Sequence, residues 1–168
     1  MRNLSKAIVL ACPLVLLAVV PTPGWAKEGG TDRPFRGYAI STSTVVTPDN
    51  PAPDIFQPKN PDNKRIVGYF DVKYVGQATH MGTITRQEYA VLYEDFTFEG
   101  LMIFVAANGD KLIADLDGGF TGPNTGAGCY YFIGGTGRFE EASGVTCFEL
   151  FTPDLVDIFV TFDGAVSY

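Results

Sequence analysis

Basic residues are scarce: 12 Lys and Arg stand against 19 Asp and Glu in 168 residues, the net charge is −7, and no basic run occurs anywhere. Nucleic acid and anionic membrane surfaces both demand Lys and Arg concentrated on one face, so this balance argues against either as a partner. Histidine occurs once, as His80, with no cysteine or carboxylate at metal-ligand spacing. A metal site is therefore not expected, and no Ser, His, Asp order points to a nucleophilic triad. Beyond residue 26 nothing reads as a helix.

The first 26 residues have the pattern of a secretory signal peptide. Arg2 and Lys6 give a positive start, Ala7 to Val20 an apolar run, and Gly24-Trp25-Ala26 small residues at the −3 and −1 positions of a cleavage site. The run falls short of the roughly 18 residues of a spanning helix, so no membrane anchor is expected. Val9-Leu10-Ala11-Cys12 superficially resembles a lipidation box, but the apolar stretch continues past it. The protein is expected to be secreted or periplasmic, with residues 27–168 as a single domain. Both charges of the removed segment are basic, so the mature chain is two units more acidic.

Cys12 leaves with that segment, and the remaining pair, Cys129 and Cys147, brackets two strand-like apolar runs joined by a glycine-rich connector. Folding the two runs back on each other brings the cysteines together. In an exported protein a disulfide is the expectation, worth about 3 kcal/mol for a loop of this size. The alternative is two free thiols buried as small apolar residues.

Residues 35–46, 65–75, 78–93, 96–106, 111–120, 127–133, 144–151 and 157–168 are rich in Val, Ile, Tyr, Phe and Thr, and most alternate with period two. Asn108-Gly109 between two such runs predicts a tight hairpin with left-handed turn residues. Eight antiparallel strands either close into a barrel or split into a sandwich. Closure removes exposed edges, so the expected fold is all-β, an eight-stranded antiparallel up-and-down barrel. Residues 47–64 hold five of the eleven prolines and predict a long loop, either a lid carrying Ile55 and Phe56 over the barrel mouth or a solvated connector.

Two residues are candidates for ligand binding. His80, placed in Thr79-His80-Met81 on a strand, either points into the barrel or is structural. Glu99 alternates with Leu101, Ile103 and Val105, where desolvation would raise its pKa. Phe96, Phe98, Met102 and Phe104 make the opposite face equally apolar, so inside and outside stay open on this strand. Asp115 and Asp117 read as a solvated outer face. The glycines at 134, 135, 137 and 144, with Arg138 and Phe139 between them, suggest a tight structural connector. A phosphate cradle would need a Lys followed by Ser or Thr, and here Arg138-Phe139-Glu140 follows.

Ile133-Gly-Gly-Thr-Gly-Arg-Phe-Glu-Glu-Ala-Ser-Gly144, together with Phe159-Val-Thr-Phe-Asp-Gly164, resembles the C-terminal half of allene oxide cyclases and is similar to the Gly-Gly-Thr-Gly segment of dirigent proteins. Ala106 to Leu112 and Gly76 to Gly82 look like segments of exported bacterial proteins with a related barrel. The resemblance spans roughly residues 76–168. It implies a calycin-type eight-stranded barrel with an apolar cavity and, from the plant families, homotrimers. The cyclase's catalytic residues find no matching positions here. The function expected is binding of a small apolar or aromatic molecule inside the barrel, without cofactor. A cofactor-free cyclase or isomerase, or a structural barrel without ligand, are the alternatives.

Overall fold

The computed structural model describes residues 31–168; the expected signal peptide lies outside the described residues. Eight strands run β1 (Asp32–Thr47), β2 (Ile66–Ala78), β3 (Gly82–Tyr93), β4 (Thr97–Ala106), β5 (Lys111–Gly122), β6 (Thr125–Gly135), β7 (Gly144–Phe151) and β8 (Phe159–Ser167). Each pairs antiparallel with its sequence neighbours, and β8 returns to β1, closing the barrel. Among the described strands no edge is left unpaired. The expected fold is the observed one.

Period-two patterning decides what lies inside. On β4 the exposure alternates without a break, placing Phe98, Met102, Phe104 and Ala106 inward and Glu99, Leu101, Ile103 and Val105 outward. Aromatic rings fill the half of the barrel toward the β4–β5 turn. Phe35 stacks on Phe162 at 5.3 Å and meets Phe104 and Phe132 edge-on at 5.7 and 5.3 Å. Tyr130 stacks on Phe148 at 4.6 Å. Each such burial contributes about 1.5–3 kcal/mol, so this half is a packed core.

The glycine-rich connector seals that end. After β6, a single 3₁₀ turn over Gly137–Phe139 turns Phe139 inward, where it is fully buried and meets Tyr168 at 4.8 Å. Gly137 has φ +59, and a Cβ there would strike the Asp110 carboxylate; at Gly135 a Cβ would strike the Lys111 carbonyl. The motif is glycine-rich because the chain crosses the end of the barrel in contact with backbone. Cys129 and Cys147 face each other across β6 and β7 on the outer wall, joined as a disulfide with Cα atoms 3.9 Å apart.

Three local expectations are corrected. The run at 78–93 is interrupted: β2 continues to Ala78, and residues 79–81 form a turn in which His80 has φ +65 and Met81 N–H donates to the Ala78 carbonyl. No Asn-Gly or Pro marks this turn; left-handed His80 and Gly82 make it. At Asn108-Gly109 the hairpin forms, but only Gly109 is left-handed, at φ +89, after a turn closed by its N–H to the Ala106 carbonyl. Residues 47–64 are not a free connector. Asn60 N–H donates to Glu99 Oε1 at 2.9 Å, Lys59 pairs with Asp115 at 2.6 Å, and Lys64 pairs with Asp95 at 2.9 Å. Residues 59–64 form a strap on the outer wall of β4 and β5, tied by Glu99 and Asp115 on those strands and by Asp95 in the turn before β4.

Candidate binding site at the open end of the barrel

The opposite end of the barrel, at the β3–β4 and β5–β6 turns, is open. A vestibule of about 460 Å³ lies there, lined by Phe70, Leu92, Phe96, Phe120 and Leu155 with Asp95 and Thr121 at its rim. It shares Phe70, Leu92, Phe120 and Leu155 with a narrower cavity of about 50 Å³ deeper in the barrel, walled by Val72, Ala90, Phe98, Leu150 and Ile158. Tyr74, Glu88 and Thr152 are the polar side chains of that inner cavity. The interior is thus divided into a packed half and an open apolar half with a polar floor.

β2 and β3 build the floor through their register. Tyr74 stands directly opposite Arg86, and Glu88 two residues further along β3 opposite Val72. All four point inward because they alternate with outward Lys73, Val75, Gln87 and Tyr89. Tyr74 donates its hydroxyl to Glu88 Oε2 at 2.8 Å, and Arg86 Nη2 lies 3.8 Å from the same oxygen. The Arg86 guanidinium stacks 4.1 Å from the Tyr74 ring and 5.5 Å from that of Tyr130. Its nitrogens come near both tyrosines without reaching hydrogen-bond geometry, and Nε, Nη1 and Nη2 are all buried without a partner.

Burial governs the electrostatics. It pushes the Glu88 carboxyl up, against the Arg86 charge and the Tyr74 hydrogen bond, which favour the anion. Burial would lower Arg86, but Tyr130, Tyr74 and Glu88 outweigh it and hold the guanidinium charged. Tyr74 and Tyr130 are pushed up by burial first, so both hydroxyls stay protonated. The floor therefore presents a carboxyl inclined to its neutral form beside a fixed cation.

Neither sequence candidate reaches this site. His80 sits exposed at the sealed end, where its ring Nε2 is 3.1 Å from the Pro34 carbonyl and its own carbonyl accepts from Arg138 Nη2 at 2.7 Å. Glu99 points outward beneath the strap and accepts from Asn60 N–H and from the Tyr93 hydroxyl at 2.6 Å. Outward Val91 and Tyr93 are buried at 0% and 4% exposure, outside the interior cluster, which is why both faces of this region read as apolar. Gly134, Gly135, Gly137, Arg138, Phe139 and Gly144 belong to the seal. The residues missed were Tyr74, Arg86, Glu88 and Thr152. Arg86 and Glu88 share a face with Ile84, Ala90 and Leu92, but the other face carries Thr85, Gln87 and Tyr89, so alternation alone did not separate them.

The same architecture occurs among solved structures. The pterocarpan synthase dirigent protein GePTS1 superposes with a TM-score of 0.60 at 12% identity, covering 90% of this chain and 98% of that one. The pterocarpan synthase dirigent protein PsPTS1 gives 0.56 at 17% identity, covering 85% and 97%. The chain has the dirigent fold. No family model matches the sequence, and no curated protein matches it. At these identities the likeness is one of architecture, and the dirigent-like barrel here must be read from its own side chains. Larger hollows exist on its outer wall, such as one of about 600 Å³ between Tyr38, Ile40, Phe151 and Phe159. That groove holds no buried polar group, whereas the open end combines apolar walls with a polar floor.

Proposed function

We propose that the protein binds a small apolar or aromatic molecule inside the barrel, entering through the open end. One observation carries this reading: a mostly apolar vestibule runs into an apolar-walled cavity whose few polar side chains are Tyr74, Glu88 and Thr152. Apolar walls with a few placed polar groups are the composition of a small-molecule site. Phe96 and Leu155 at the entrance add support. Both are large apolar side chains exposed at 64% and 50%, and both hold left-handed backbone at φ +62 and +63. Exposure and strain together are costs that packing does not recover there. The Cys129–Cys147 disulfide and the signal-like N-terminus support a secreted or periplasmic setting for this role.

Titration with a neutral fluorescent apolar probe tests it. The parent should bind saturably with one site, and Leu155→Arg, which puts a charge in the entrance, should weaken binding by at least about tenfold. A parent that shows no saturable binding would overturn the reading.

A second reading, a cofactor-free cyclase or isomerase, is favoured by Glu88 alone. A carboxyl pushed toward its neutral form at the floor of an apolar cavity is placed as a proton donor to a bound substrate. The two structural neighbours are themselves described as pterocarpan synthases. Turnover decides: an enzyme converts a reactive substrate faster than buffer and in one stereochemical sense, and Glu88→Gln abolishes that excess. A binder returns the substrate unchanged.

A further inference from the structure

Glu88 is the carboxyl that borders the inner cavity, among walls otherwise apolar save for Tyr74 and Thr152, and its side chain keeps 16% exposure. Because it points inward, the water it still meets is that of the cavity and of the vestibule above it. The inner space, about 50 Å³, exceeds what one water needs. A neutral ligand seated against Phe70, Leu92 and Phe120 displaces this water, since those three residues wall both spaces. Loss of hydration penalises a carboxylate and leaves the protonated form almost untouched.

The groups facing Glu88 decide whether dehydration ends in protonation. On β2 the Tyr74 hydroxyl donates to Oε2 at 2.8 Å, on β3 itself Arg86 Nη2 stands 3.8 Å from that oxygen, and on β6 Tyr130 lies beside Arg86. β4 places Met102 opposite, and the β7–β8 segment adds Thr152; neither titrates. Arg86 is therefore the charge that resists protonation. Its hold is weak, because 3.8 Å exceeds hydrogen-bond reach and the guanidinium lies against the rings of Tyr74, Tyr130 and Phe104 at 4.1, 5.5 and 5.6 Å. Three aromatic faces stabilise the cation when the carboxyl is neutral. Asp95 at the vestibule rim is held down to about 2 by hydrogen bonds from Thr97 and Lys64, so it is a constant charge while Glu88 titrates.

We propose that the barrel couples ligand binding to proton uptake at Glu88, holding a neutral apolar ligand tightly in acid and releasing it as pH rises. This rests on the interior-binding reading. A ligand that dehydrates the carboxyl binds its protonated form better, so affinity is highest where Glu88 is already protonated and falls as pH rises from the pKa of the free protein to that of the complex. Above both, affinity is constant again. Burial holds the carboxyl above its ordinary 4.5 before any ligand enters, so the window opens above that value.

Titration of the full chain with the neutral fluorescent probe, repeated from about pH 4.5 upward, reads the coupling directly. Parent affinity should fall by at least about fivefold across the window, the lower end of ordinary coupling between two sites on one protein. Calorimetry within the window, in two buffers of unlike ionisation enthalpy, should show net proton uptake on binding. Glu88→Gln, fixed in the neutral form, should bind the probe without pH dependence and without proton uptake; if that variant does not fold, the proton count of the parent still decides. Parent affinity that is flat with pH, proton release in place of uptake, or a pH slope that survives Glu88→Gln would each overturn the proposal while leaving interior binding intact. Failure of the probe to bind at every pH would overturn the interior reading beneath it.

Discussion

Tyr74 and Glu88 meet diagonally across β2 and β3, the Tyr74 hydroxyl donating at 2.8 Å to a carboxyl that the barrel interior pushes toward its neutral form. Cross-strand neighbours at this offset are within reach of long side chains, so register alone brings them together. Arg86, directly opposite Tyr74, completes a three-residue polar cluster between the packed half of the barrel and the open one, although it lines neither cavity. The arrangement gives the barrel a direction. One end is sealed by Phe139 and Tyr168, and the other opens into the cavity that reaches Glu88.

The Glu88 environment predicts an unusual pH dependence of stability. A carboxyl raised on folding binds its proton more tightly in the native state, so its contribution is fully present below the ordinary value of 4.5 and is lost as pH rises through the raised one. Glu94, Asp95 and Asp154 are lowered and act in the opposite sense. Comparing Glu88→Gln with the parent removes that background. The variant should gain melting temperature relative to the parent as pH rises above about 4.5; a difference that stays constant with pH would show that Glu88 is not raised.

At the sealed end the glycines should resist substitution. Gly137→Val forces a β-branched residue to φ +59, and Gly135→Val drives a side chain into the Lys111 carbonyl. Each should destabilise by roughly 1–3 kcal/mol in urea unfolding. Probe affinity of the folded fraction should stay unchanged, because the seal lies at the far end from the entrance.

The two residues that the sequence offered as ligands should not act as ligands. His80→Leu and Glu99→Leu are expected to bind the apolar probe within about twofold of the parent, since neither lines the cavity. Glu99→Leu should instead release the strap. With Asn60 N–H and the Tyr93 hydroxyl both losing their acceptor, limited proteolysis should cut within residues 55–63 faster than in the parent. Unchanged cleavage would mean that the strap is held by Lys59 and Lys64 alone.

Much of the architecture could be read from residue patterns because period-two alternation and turn chemistry are local. β8 shows this best: Val160, Phe162 and Val166 line the interior, as their spacing required. The cysteine pair was placed by the same logic, since β6 and β7 fold back across the glycine connector. The site was not readable, for two physical reasons. The strap covers outward Val91, Tyr93 and Glu99, so the outer wall there is as apolar in sequence as the inner one. The floor, in turn, depends on β2–β3 register and on how far the aromatic rings fill the barrel, neither of which a single strand encodes. Arg86 and Glu88 look in sequence like solvated strand residues; only closure of the barrel buries them.

The central claim is that the open end, not the outer wall, is where small apolar molecules bind. A crystal soaked with bromobenzene tests it directly through the anomalous signal of bromine. The account predicts a peak in the vestibule between Phe70, Leu92 and Phe120, within the barrel mouth. Bromine found only in the outer groove by Tyr38 and Phe159, with the mouth empty, would contradict it.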